Sequence, residues 1–409
     1  MKNILIINAY SARNRGDAGI VVAMIHYLRE LWPDCRIRVM SSYAEENRAF
    51  YARYRAESVA PPWPLARGTG SLSRYRDGLA AWLRAVFLPG SRRFQAYREA
   101  DLVVSAGGGY IYSSRRGPMG IGLLNALYHY WLGPRHGKPT LGFPQSIGPL
   151  DHAIDRALVK RALRDVDLVF SREAISTKLL QQLRIACEEV PDIAFTLPAP
   201  PRDANRKKER RIGLTVLDWR FSKAGSTPED IGRYLHKLAG LARAVLSAHP
   251  DARISIFPQV DVGASDSDVP ISRELEAMVA DERCRVVELA PDVTPEELVT
   301  LYSAMSVFVA SRMHSAIFAI AGGVPTIGLA YQPKTKGTFE LIGLAAQSHD
   351  VADFDLDAVK DQVLRILDDS SDAWHIDPRA IKKKMNPHFP VHVEFGNPPG
   401  NRVLENFQS

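Results

Sequence analysis

The chain has 409 residues, 46% hydrophobic and 24% charged, which is too long for one ordinary core and long enough for two. A formal net charge of +6 favours anionic partners: a phosphorylated small molecule, an anionic membrane surface or nucleic acid. No nucleic-acid-binding motif accompanies the charge, so nucleic acid is set aside. The three cysteines, Cys35, Cys187 and Cys284, are widely spaced. They supply neither a disulfide framework nor a paired metal motif and suit a reducing cytoplasm.

The opening MKNILIINAY is too short, and too soon interrupted by Ser11, Arg13 and Asn14, for a secretory signal. It reads as a first buried strand over residues 4–8. No run reaches the length of a membrane-spanning helix, so the expectation is a cytoplasmic protein, soluble or peripheral at the inner face of the membrane. The loop after this strand passes through Gly16 and Asp17 into a helix over 18–31, and a second strand covers 36–40. Asn14-Arg15-Gly16-Asp17 is not the G-x-G-x-x-G fingerprint, so dinucleotide binding has little support. Asp17 either caps the helix or belongs to a site, because the loop after the first strand of such a domain opens toward ligand.

Residues 45–100 are less regular. Leu79, Trp82, Leu83, Val86 and Phe87 recur at helical spacing among Arg74, Arg76, Arg84, Arg92 and Arg93. A basic amphipathic helix of this kind can lie on a membrane surface, but the expectation is that its apolar stripe packs on the sheet. A strand over 101–105 runs into Gly107, Gly108, Gly109 and Tyr110, glycines whose N–H groups can bind an anion. A helix over 120–132 carries His129, expected to be packed. A strand over 139–143 delivers Gln145 and Ser146 to the next loop.

A helix over 151–164 and a strand over 168–170 lead to Ser171, Arg172 and Glu173, which open a helix to 183. A strand over 188–190 ends at Pro191 and Asp192. The proline-rich and basic residues 198–211 read as a linker.

The second half restarts with a strand over 211–216 and a loop in which Trp219, Arg220 and Phe221 can meet a sugar ring or the donor. Helices over 228–248, 271–280 and 295–304 alternate with strands over 253–257 and 284–289. Asp266-Ser267-Asp268 imitates the D-x-D of metal-dependent glycosyltransferases, but it lies in a polar loop without a flanking apolar strand, and no metal is assigned.

A strand over 307–309, a turn from Ser311, a helix over 315–321 ending at Gly322 and Gly323, and a strand over 325–330 form a βαβ unit. Ligands of parallel sheets gather at such turns, where Arg312 and His314 lie. Arg312 offers a planar fork of donors for phosphate or carboxylate, and His314 can move a proton near neutral pH. The alternative is an Arg bridging surface carboxylates and a His capping a helix. Arg172 repeats the layout of Arg312: apolar strand, Ser, Arg, helix start.

SRMHSAIFAIAGGVPTIGLAYQPKTKG resembles the signature of the polysaccharide pyruvyl transferases, here Arg312, His314, Gly323, Pro325, Tyr331, Lys336 and Gly337. Asn14, Gly16 and Asp17, the run Gly107 to Gly109, Pro144 to Pro149, Ser171 with Arg172, and Pro191 with Asp192 match in the same order, over about residues 1–345.

The alternation predicts two doubly wound Rossmann-like domains facing a cleft, like the B-type glycosyltransferases: residues 1–197, a linker over 198–211, residues 212–385 with the donor site, and a tail over 386–409. The resemblance implies transfer of a pyruvyl group from phosphoenolpyruvate to two hydroxyls of a sugar, giving a ketal and phosphate. Arg312, Arg172 and Lys336, with Ser311 and Gly107, Gly108 and Gly109, are then expected to bind the donor. His314 is the expected acid, and Asp17 or Asp192 the base. Asn14, Tyr110, Gln145, Trp219 and Tyr331 are expected toward the acceptor, a glycan free or lipid-linked, with no cofactor. A nucleotide-sugar glycosyltransferase and a non-catalytic glycan-binding assembly protein remain as other readings.

Overall fold

The computed structural model describes residues 1–65, 71–200, 210–219, 226–263, 266–368, 380–381 and 383. Arg220, Phe221, most of the expected linker and the expected tail lie outside the described residues. The chain divides into two compact units, Met1–Ala12 with Ile20–Ile193 and Arg13–Gly19 with Ala194–Lys383. The expected boundary at 197 thus falls a few residues earlier, and a short N-terminal segment belongs to the second unit.

The first unit is built on β1 (Asn3–Ala9), β2 (Arg36–Ser41), β3 (Glu57–Val59), β4 (Leu102–Ser105), β5 (Gly108–Ile111), β6 (Thr140–Ile147), β7 (Leu168–Ser171) and β8 (Cys187–Glu189). The strands are parallel in the order β3-β2-β1-β4-β6-β7-β8. Ile4, Leu5, Ile6 and Ile7 are all fully buried, because helices cover both faces of such a sheet and a continuous apolar run is needed to fill them.

β4 pairs with the first half of β6, and β5 takes over beside its second half. The glycines lie at that handover. A Cβ on Gly107 would stand 2.6 Å from the Pro144 carbonyl oxygen, and Gly108 has φ +127°. The expected anion-binding turn at Gly107, Gly108 and Gly109 is therefore corrected: Gly107 permits a close strand approach, and Gly108 and Gly109 enter β5.

The Ser71–Phe87 helix differs from expectation in the face it buries. Gly78, Ala81 and Ala85 pack inward against Trp63, Tyr128 and their neighbours, while Leu79, Trp82, Leu83 and Phe87 are exposed. Small residues allow the close approach that the larger stripe would prevent.

The second unit contains β9 (Arg211–Thr215), β10 (Arg253–Ile256), β11 (Asp261–Gly263), β12 (Asp266–Ser267), β13 (Cys284–Val286), β14 (Val307–Ala310), β15 (Thr326–Ala330) and β16 (Ser348–Asp350). Six of them form a parallel sheet in the order β13-β10-β9-β14-β15-β16, and β11 pairs with β12 as an antiparallel hairpin. The strand order reverses between β9 and β14, which is where sheets of this kind bind ligands, outside the carboxyl ends of the strands. Capping boxes at Thr227 with Asp230 and Thr294 with Glu297 start the Pro228–Ala248 and Pro295–Ser303 helices where the sequence places them.

Candidate active site

The residues that follow β14 stand at this reversal, and the first of them is structural. Ser311 is fully buried; its N–H donates to Thr215 Oγ1 at 3.1 Å and its hydroxyl accepts from Tyr234 at 2.6 Å. The expected donor contact of Ser311 is corrected, since its hydroxyl fastens the Pro228–Ala248 helix to the end of β14.

Arg312, next in the chain, is held from one side. Its Nε donates to Asp268 Oδ2 at 3.1 Å and one terminal nitrogen donates to Asp268 Oδ1, a bidentate pair. Asp268 is buried at the start of the Val269–Val279 helix, and Oδ2 also accepts from the Val260 N–H at 3.0 Å. Burial pushes the Asp268 carboxyl up, and the Arg312 guanidinium opposes it. For Arg312, burial works against the charge, and Asp268, Tyr331 and Asp266 together outweigh burial and raise the pKa. The side chain keeps 22% of its exposure, so one face of a locked, charged fork is open. Tyr331 lies near enough to act on Arg312 electrostatically.

The segment 13–19 brings a second set of groups. The helix spans Arg15–Leu31, three residues earlier than the sequence pattern suggests, because Asn14 caps it by accepting from the Asp17 N–H at 3.3 Å. Asn14 also bridges to Val260. Asn14, expected toward the acceptor, is employed as a cap, and Asp17 stands half-buried in the first turn.

Gly16 lies under the His314 ring: a Cβ there would be 2.5 Å from Nδ1 and 3.0 Å from Cβ of His314. Gly19 meets Phe318 in the same way, at 2.3 Å. The contacts advance in step, so the Arg15–Leu31 and Met313–Ala321 helices start side by side, and the positive ends of two helix dipoles converge. Gly16→Ala is expected to push the imidazole aside: turnover falls by about tenfold or more, as misplacement of a reacting group near 1 Å allows, while thermal unfolding is little changed. Unaltered turnover would show that the ring position does not matter.

Sequence reasoning passed over Arg15, Gln259 and the role of Asp268. Arg15 is 5% exposed and donates to the carbonyls of Pro258 at 3.2 Å and Ala290 at 3.4 Å. Burial draws its pKa down, and Tyr302 and the carboxylates of Asp261 and Asp268 draw it up; an arginine stays charged throughout. Gln259 is buried and accepts from the Tyr302 hydroxyl at 2.7 Å. Arg15 Nε and Gln259 Nε2 are buried donors without a hydrogen-bond acceptor among the described residues. The buried Asp268 carboxylate thus pairs with Arg312 and acts on Arg15 electrostatically. The corner brings together two guanidinium groups, two unsatisfied donors and two helix starts, with the carboxylates of Asp261, Asp266 and Asp268 acting on the guanidiniums. The signal available beforehand was an Arg and two glycines, Gly16 and Gly19, in the opening turns of a helix.

The other expected residues are placed elsewhere. Arg172 is 1% exposed in the first unit, where it forms an ion pair with Asp192 and donates from Nε to Ser146 at 2.9 Å. Asp192 is fully buried, so the expected base is corrected to an ion-pair partner, and the expected donor grip of Arg172 to a buried network that includes Glu173. Gln145, 1% exposed, donates to the Tyr130 hydroxyl and the Phe143 carbonyl. The Tyr110 hydroxyl meets Ser105 at 2.7 Å and donates to the Ala106 carbonyl at 2.6 Å.

Trp219 is buried in the core of the second unit with Tyr234. Gln145, Tyr110 and Trp219 are therefore corrected from acceptor contacts to packing groups. Lys336 stands on the Pro333–Leu341 helix, 66% exposed and 4.0 Å from Glu340. His129 is packed as expected; burial pulls it down to about 3, so it is neutral.

The chain matches the polysaccharide pyruvyl transferase family over residues 14–333 and belongs to it. Residues 14–333 take in both halves of the corner just described, from Asn14 to the Arg312–His314 turn. No curated protein matches the sequence.

Among solved structures it is similar to a UDP-GlcNAc 2-epimerase from Methanocaldococcus jannaschii, with TM-score 0.56, 13% identity, and 94% of this chain and 100% of that chain covered. Another UDP-N-acetylglucosamine 2-epimerase gives TM-score 0.57 and 12% identity over 97% and 98% of the two chains. The glycotransferase of kitacinnamycin gives 0.51 and 14% over 94% of each. These likenesses concern the fold, two parallel α/β sheets of the kind found in glycosyltransferases and epimerases.

Proposed function

We propose that this protein transfers a pyruvyl group from phosphoenolpyruvate to two hydroxyls of a sugar in a glycan, forming a cyclic ketal and releasing phosphate. The observation that carries this reading is the Arg312 fork, locked by Asp268 yet partly open, at the paired helix starts, with an imidazole seated on Gly16. Phosphoenolpyruvate carries a carboxylate and a phosphate, and Arg312, fixed by Asp268, presents an oriented fork to one of them; Arg15 is a second, buried guanidinium of the corner, and Lys336 is an exposed cation on the helix after β15.

The enol methylene takes a proton, for which His314 is the donor group, and a sugar hydroxyl bonds to C2, its proton returning to the imidazole. Cleavage of the C2–O bond then releases phosphate and leaves an oxocarbenium ion. The second hydroxyl closes the ketal and gives up its proton, and Asp17, half-buried in the first turn of the Arg15–Leu31 helix, is the base in this reading. Preorganised charge and orientation lower the barrier. Tyr331, beside Arg312, is the group left on the acceptor side. The site is placed in a reducing compartment, a reading supported by three free cysteines. Among the described residues no helix is long and apolar enough to cross a membrane.

Incubation of candidate sugars with phosphoenolpyruvate, followed by mass spectrometry, should show the pyruvyl ketal and an equivalent of phosphate. Release of a nucleoside diphosphate from a nucleotide sugar instead would establish the glycosyltransferase reading. Arg312→Lys is expected to weaken donor use by about 2 kcal/mol although the charge is kept, because Lys cannot match the bidentate contact with Asp268 and present a fork at once. Steady-state kinetics with donor varied provide the check, and an unchanged kcat/KM removes Arg312 from the donor site.

A further inference from the structure

The Ser71–Phe87 helix of the first unit turns its large apolar residues outward. Leu72 is 84% exposed, Leu79 59%, Trp82 47% and Phe87 73%, and Leu88, just past the helix end, is 61% exposed. Leu72, Tyr75, Leu79, Trp82, Leu83 and Val86 recur at three- and four-residue intervals and so share one face, while Gly78, Ala81 and Ala85 form the inward face. The patch extends past the helix, because the Tyr75 hydroxyl donates to the Met119 carbonyl at 2.8 Å and Met119 and Tyr112 are exposed as well.

A contiguous apolar face of this size on a folded unit marks an interaction surface. Its charge says which kind. Residues 71–93 contain five arginines, Arg74, Arg76, Arg84, Arg92 and Arg93, and one acid, Asp77, a net of +4. Arg76, Arg84, Arg92 and Arg93 are exposed, as are Arg115 and Arg116 in the loop that carries Met119.

We propose that the Ser71–Phe87 helix and the Arg92–Arg93 turn dock this protein on an anionic lipid bilayer. Leu, Trp and Phe on one face with Arg at its border is the pattern of helices lying in the plane of the interface, where apolar side chains enter the acyl boundary and cations meet lipid phosphates. Tyr75 and Trp82 suit the headgroup level, having an apolar body and a polar tip. A second copy of the chain is the less favoured occupant: a self-complementary contact across a twofold axis would set +4 against +4. The docking surface shares no residue with the Arg312 corner, and the proposal requires nothing of the pyruvyl transfer reading.

Flotation of the purified full chain with vesicles of phosphatidylcholine alone, and of phosphatidylcholine with phosphatidylglycerol, tests it. The protein should float with the anionic vesicles and about tenfold less with the neutral ones, and added salt should weaken the binding. Leu79→Ser with Phe87→Ser, and separately Arg92→Glu with Arg93→Glu, should each lower binding by about tenfold while the melting temperature holds, since all four side chains are exposed. Flotation needs no turnover, so failure of the transferase assay leaves this result readable. Absence of flotation, or undiminished flotation of the Leu79→Ser, Phe87→Ser variant, overturns the proposal. A dimer that the same apolar variant dissolves, with no vesicle binding, overturns it in favour of a second copy.

Discussion

His314→Gln is expected to lower turnover by roughly two to four orders of magnitude, the usual contribution of a positioned acid or base, with fold and donor affinity retained. The imidazole sits at a helix start against Gly16, a position that only a residue without a side chain leaves open. Gln fills a similar volume and can donate a hydrogen bond, so a purely binding role would survive the change in part. A proton-transfer role would not. Measuring donor affinity and single-turnover rate separately decides the matter: normal turnover at saturating donor with weakened affinity makes His314 a ligand of the donor's anionic groups. A fall in melting temperature with neither quantity altered makes it a packing residue.

The parallel strands were legible because burial on both faces demands continuous apolar runs; Ile4–Ile7 and Val307–Val309 are such runs, and they fixed the positions of the loops that matter. The position of Arg312 and His314, directly after one of these strands, was legible for the same reason. The role of Asp268 was not. In sequence it belongs to a polar acidic loop, and only the folded chain brings Arg312, 44 residues away, onto its carboxylate.

Arg15 was hidden likewise, since its partners Pro258 and Ala290 are more than 240 residues distant. For the Ser71–Phe87 helix the periodicity was readable but not its direction: the same spacing describes a stripe facing in or out, and Gly78, Ala81 and Ala85 decided it by fitting against Trp63 and Tyr128. Trp219 shows the converse error, a bulky apolar side chain in a polar stretch that burial claims for the core.

Arg172→Met is expected to destabilise the first unit by about 3–5 kcal/mol, the loss found when one member of a buried ion pair is removed. The charges of the cluster predict an asymmetry. Arg172 stands between two buried carboxylates, paired with Asp192 and 4.0 Å from Glu173, and Ser146 donates to Glu173 at 2.8 Å. Removing the arginine strands two negative charges away from water. Asp192→Asn, by contrast, leaves one arginine facing one carboxylate and an amide that can still accept the guanidinium's hydrogen bond, so its effect should stay near about 1–2 kcal/mol. Urea unfolding followed by fluorescence, with equal slopes for all three proteins, gives the comparison. Equal losses for the two variants would mean that Glu173 takes no part in the charge balance. An Arg172→Met protein as stable as the parent, but with a raised KM for phosphoenolpyruvate, would return Arg172 to the donor site that its strand-Ser-Arg setting first suggested.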